Sequence, residues 1–102
     1  IDWHNDSRTI YNQVRGLHPW PVAYTTFEGE NFKIWWAQVG QTSNNREPGE
    51  VAAIHKDYFE IATGEGGTLA VFDLQPSGKK RMTAEEYLRG TGSKLQIGER
   101  FE

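Results

Sequence analysis

The stretch Val22-Ala23-Tyr24-Thr25-Thr26-Phe27-Glu28-Gly29-Glu30-Asn31-Phe32-Lys33-Ile34-Trp35-Trp36-Ala37-Gln38-Val39 decides the fold. Two runs rich in β-branched and aromatic residues flank a polar segment with a glycine. The stretch therefore predicts a hairpin of strands Val22 to Phe27 and Phe32 to Val39, turning at Glu28 to Asn31. Strict alternation puts Phe32, Ile34 and Trp36 on one face of the second strand and Lys33, Trp35, Ala37 and Val39 on the other. Both faces carry apolar residues, which predicts a strand covered on both sides.

C-terminal to the hairpin, residues 40–49 have no apolar period and read as a mobile loop. Glu50 to His55 and Tyr58 to Thr63, joined at Lys56-Asp57, form a second predicted hairpin in which Phe59 and Ile61 share a face. Gly64-Glu65-Gly66-Gly67 then turns the chain into a fifth strand, Thr68 to Gln75. Here alternation sets Leu69 and Val71 against Ala70, Phe72 and Leu74. Pro76-Ser77-Gly78 breaks that strand. Thr83-Ala84-Glu85-Glu86 is a capping-box pattern, so a short helix is expected to run to about Arg89 and end at Gly90.

N-terminal to the hairpin, Ile10, Val14 and Leu17 recur at helical spacing behind a cap at Asp6 or Ser7, with Trp3 placed to fold back on Ile10. His18-Pro19-Trp20-Pro21 makes a stiff corner, and its clamped Trp20 reads as a plug for one end of the core. Five or six short strands with two short helices predict a mostly β, small Greek-key, partly open barrel of the oligonucleotide-binding type. A two-sheet sandwich is the alternative.

The length of 102 residues suits one core and one domain. The start at Ile1, with no methionine and no signal-like segment, reads as a boundary inside a longer protein. No apolar run approaches the roughly 18 residues of a membrane helix. The absence of cysteine excludes disulfides and thiolate metal sites and fits a cytoplasmic protein. A net charge of −3 argues against binding polyanions through the overall field, but residues 76–102 carry +2 while 40–75 carry −4. A polyanion site is thus expected toward the C-terminal third.

Chemistry-bearing constellations are missing. His4, His18 and His55 fall on different elements without the spacing of a zinc site, so no metal is expected. The glycine-rich turn precedes a strand rather than a helix, so it offers no phosphate cradle. Glu85 and Glu86 diverge on their helix, and no activated serine or cysteine nucleophile exists; no catalytic residue is assigned. The basic run Lys79-Lys80-Arg81, with Lys33, Arg89 and Lys94, is the feature suited to a phosphate backbone.

The string Val14-Arg15-Gly16-Leu17-His18-Pro19-Trp20-Pro21 resembles the opening of the C-terminal domain of methionyl-tRNA formyltransferases. Lys33-Ile34-Trp35, Pro48-Gly49-Glu50-Val51, Ala62-Thr63-Gly64 and Leu74-Gln75-Pro76-Ser77-Gly78-Lys79-Lys80-Arg81-Met82 continue the likeness in order, over nearly the whole chain. His18 stands where that family usually has Asn, and Trp36 where Lys is common. The resemblance implies structural roles for Arg15, Pro19, Trp20, Pro21 and Trp35. It implies a full enzyme that moves a formyl group from 10-formyltetrahydrofolate to initiator methionyl-tRNA, with donor and catalytic residues in an N-terminal Rossmann-like domain outside this chain. This portion would then position tRNA, in a cytoplasmic, monomeric enzyme. A structural domain that only packs on the catalytic one, possibly in a sister formyltransferase acting on another amine, is the rival.

Overall fold

The computed structural model describes residues 1–102. Helix α1 (Ser7–Leu17) is followed by strands β1 (Ala23–Phe27), β2 (Glu30–Val39), β3 (Val51–Ile54), β4 (Phe59–Ala62), β5 (Thr68–Pro76) and β6 (Met82–Thr83), then helix α2 (Ala84–Arg89). The sheet is antiparallel in the order β1-β2-β5-β4-β3, with β6 added to β5. Strands β3, β4 and β5 form a meander and β2 returns beside β5, which is the Greek-key arrangement expected. The alternative of two packed sheets is not what forms. No helix is long and apolar enough to cross a membrane.

Local chemistry explains the helices. Asp6 caps α1 by accepting from the Thr9 N–H at 2.8 Å, and Ile10 and Val14 are buried. Trp3 joins the same core and donates from Nε1 to Thr25 Oγ1 at 2.9 Å. The capping box of α2 is complete: the Glu86 N–H donates to Thr83 Oγ1 at 3.1 Å, and the Thr83 N–H to Glu86 Oε1 at 3.2 Å. Tight β turns use positive φ at Glu28 and Gly29 and at Glu65 and Gly66, the conformation that joins twisted strands.

Four expectations require correction. The simple alternation of β2 and β5 fails, because their pairing slips between Ile34 and Trp36 and again between Trp36 and Ala37. Each bulge reverses the side-chain parity of its strand, so the core sets are Phe32, Ile34 and Ala37 on β2 and Leu69, Val71 and Leu74 on β5, with Trp36 outside the core. The second face of β2 is only half covered.

Residues 40–49 lack regular structure but are tied down. The Gly40 N–H donates to Thr68 O at 2.9 Å, Thr42 binds Glu60, and Asn44 Nδ2 donates to the carbonyls of Gly66 and Gly67. A side chain at Gly40 would collide with Thr68 and Glu60, which explains the glycine there.

Trp20 is not a core plug: it is 83% exposed. The Val22 N–H donates to Leu17 O at 2.8 Å, closing a loop that throws residues 18–21 outward, while Val22 (φ 75) and Ala23 turn into the core in their place. Pro19 and Pro21 lie beside Trp20 on the surface.

Candidate nucleic-acid interface

Antiparallel register sets Tyr24 of β1 opposite Lys33 of β2, and Lys33 opposite Gln75 of β5. Residues directly opposite on neighbouring strands share a face, so these three side chains form a row across the outer surface, away from the core line through Phe32 and Ile34. Tyr24 is exposed and Lys33 half-buried. Two residues along β2, Trp35 lies on the same outer side and donates from Nε1 to Gln75 Oε1 at 3.0 Å. Gln75 in turn donates from Nε2 to Lys79 O at 2.9 Å, fastening the basic loop to the row.

The Arg81 guanidinium sits over the Trp35 ring, 4.5 Å from its centre, and donates to Asp73 Oδ2 at 3.1 Å. Its charge thus secures the strand beneath it. From the other side, His18 meets Trp35 and Trp36 edge-on at 5.9 and 5.7 Å, which links the exposed Trp20 loop to the same surface.

Among the cations singled out in the sequence, Lys33 and Arg81 converge here. Lys33 is the sole charged group lining a shallow depression with Asn31, Gln75, Pro76, Ser77 and Gly78. Lys79 and Lys80 are exposed on the adjoining loop, and Lys79 also borders a cleft containing Glu28 and Glu30. Lys94 lies apart, around Tyr87 with Glu28 and Glu99. Burial pushes the Tyr87 hydroxyl up to about 12, with the two glutamates adding to the effect. Arg89 is exposed in the last turn of α2 and makes no ion pair. Arg15 is exposed on α1, near the Tyr11 ring that Arg8 also approaches.

Sequence reading did not single out Tyr24, Gln75 or His18 as members of a surface. Strand register was the missing signal, because it joins positions far apart in the chain.

The histidines occupy unrelated places. His4 is exposed beside Asp2, and His18 lies on the tryptophans. His55 bonds Glu60 Oε2 at 2.7 Å through Nε2. Glu60 is 2% exposed and also accepts from Thr68 Oγ1 at 2.7 Å and Thr42 Oγ1 at 2.9 Å. Burial alone would raise its pKa, but the hydrogen bonds from Thr68, His55 and Thr42 prevail and hold the carboxyl below its ordinary range. This cluster anchors the 40–49 loop. Both oxygens of the carboxylate are already engaged, so it makes a poor base.

The model for the C-terminal domain of formyl transferases matches residues 1–92. The chain is 70% identical over its full length to the methionyl-tRNA formyltransferase of Lysinibacillus sphaericus, covering 33% of that protein. Over 96% of its length it is 52% identical to the methionyl-tRNA formyltransferase of Halalkalibacterium halodurans and 48% identical to that of a Geobacillus species, covering 31% of each. It thus spans about a third of the length of these relatives. The Greek-key sheet carries the Pro-Trp-Pro loop and the Lys-Ile-Trp strand in the order that first suggested the likeness, and with this match the chain belongs to the formyl transferase C-terminal domain family.

Proposed function

We propose that this chain is the RNA-holding portion of a cytoplasmic, monomeric enzyme that formylates initiator methionyl-tRNA. The names of its relatives support the reaction. The reading rests on one observation, the row Tyr24, Lys33 and Gln75 beside Arg81 on Trp35, where cations and aromatic rings share an outer face. Cations in such an array neutralise phosphates and release counterions, giving affinity without reading sequence.

The formyl donor, 10-formyltetrahydrofolate, is assigned to the preceding Rossmann-like portion. The residues of this domain are given the other substrate. Their task in the reaction is to hold the tRNA body while its aminoacyl end reaches the rest of the protein.

The test is binding of initiator methionyl-tRNA to the full-length protein over a salt series, comparing the parent with Lys33→Ala, Lys80→Ala and their combination. Each lost phosphate contact should reduce the magnitude of the log-affinity against log-salt slope by roughly 0.7 to 0.9. An unchanged slope in the double variant would refute the reading. Arg81 is left intact because its removal would also unpair Asp73 and uncover Trp35.

A further inference from the structure

We infer that the outer face is a stacking platform for unpaired nucleotides, in which Tyr24 and Trp20 take the faces of bases while Lys33 holds the phosphate beside them. This rests on the RNA-binding reading above and narrows it, from RNA in general to single-stranded segments.

The argument begins with two side chains that the fold leaves uncovered. Trp20 is 83% and Tyr24 58% exposed, the largest aromatic surfaces that the chain offers to solvent. Neither is a stray residue on a mobile tail. Tyr24 is fixed within β1 by pairing with Lys33 of β2, and Trp20 lies between two prolines that restrict the backbone on either side. A ring already held in place loses little freedom when a base settles on it.

The neighbours of these rings select the partner. Lys33 is directly opposite Tyr24 and is the only charge in its depression, so a negative group next to a flat apolar one meets both requirements. Gln75, the next member of the row, is held by Trp35 and by Lys79 O, and the Arg81 guanidinium, paired with Asp73, covers the Trp35 ring beside it. Aromatic rings alternating with cations are the general means of holding single strands, because every base has a π face and every nucleotide a phosphate. A perfect duplex hides its bases inside and would present these rings only with sugar and phosphate. Charge complementarity and exposed rings together therefore favour an unpaired segment over a helix.

Fluorescence anisotropy with the full-length protein tests this with two labelled probes, a short unstructured RNA strand and a blunt RNA duplex. Tyr24→Ala and Trp20→Ala should each weaken single-strand binding about tenfold, Tyr24→Phe should retain it, and duplex binding should change little. Because both rings are exposed, the variants should melt with the parent, which separates lost stacking from lost folding. Equal weakening on both probes would overturn stacking in favour of phosphate contact alone. Lys33→Ala weakening both probes while the aromatic variants weaken neither would overturn the stacking and leave the RNA reading standing. No effect from any of the variants would overturn both. Unchanged RNA binding with faster proteolysis upstream of Ile1 in the aromatic variants would show the face to cover the rest of the polypeptide, and would also sink the proposal.

Discussion

Two residues exchange the places that their chemistry suggests. Trp20, apolar and clamped by prolines, stands in water, whereas the carboxylate of Glu60 is buried among Thr42, His55 and Thr68. Clamping by Pro19 and Pro21 was legible in the sequence, but its direction was not, since that depends on the Leu17 to Val22 bond that closes the loop. A core role for Trp20 would make its truncation cost about 3–5 kcal/mol. Its observed exposure instead predicts that Trp20→Ala changes stability by no more than about 0.5 kcal/mol, to be measured by denaturant or thermal melting. Glu60 should behave oppositely. Glu60→Ala strands buried donors and should cost on the order of 3 kcal/mol. Because its folded carboxyl lies below the ordinary 4.5, an unfolded Glu60 binds its proton at a higher pH than the folded one. The stabilisation is thus complete above about 4.5 and is lost as pH falls through the folded value. Acid melting curves of Glu60→Gln should accordingly be flatter than those of the parent; equal slopes would remove Glu60 from the acid response.

At the level of elements, the helices and their caps could be read directly because their signals are local: Asp6 meets Thr9, and Thr83 meets Glu86, within a single turn. The strands could be found in the same way, but which side each residue faces could not. Two bulges in the β2–β5 pairing move the core position from Trp36 to Ala37, and nothing within either strand announces them. Their consequence reaches the candidate interface, since they leave both Trp35 and Trp36 outside, where His18 can contact the pair. The small volume of Ala37 is then a packing requirement, with its side chain fully enclosed opposite Val71. Ala37→Leu should overpack that point and destabilise by about 1–3 kcal/mol, measured by chemical denaturation. Simple alternation would place residue 37 on the outer face and predict almost no cost, so the measurement decides between the two registers.

Across the whole molecule, the sheet path ends in two edge strands, β1 and β3, and the last residues of the chain lie between them. Phe101 bridges Phe27 at the end of β1, and Arg100 bridges Glu50 next to β3. The Val51 N–H donates to Glu99 O and the Phe101 N–H to Gly49 O, both at 2.7 Å, and the Glu102 N–H donates to Thr26 O at the same distance. Gly49, at φ 97, admits this passage because a side chain there would run into Phe101 O. Sequence reading assigned no element to this segment, which is too short and polar to show a strand period by itself. Its one large apolar residue nevertheless sits at the centre of the aromatic core, where the Phe101 ring stacks on Phe27 at 4.3 Å and meets Phe32 edge-on at 5.0 Å. Removing that ring withdraws a core aromatic and, with it, the anchor that keeps the closing segment against both edges. Phe101→Ala should therefore cost about 3–5 kcal/mol, a large part of the total stability of a domain this size. Hydrogen exchange should distinguish closure from mere loss of core packing. The amides of Val51 and Phe101 should lose protection first and most, while those in the central β2–β5 pairing follow only with global unfolding. Uniform loss of protection across all strands would show that the sheet does not depend on its C-terminal segment to join its edges.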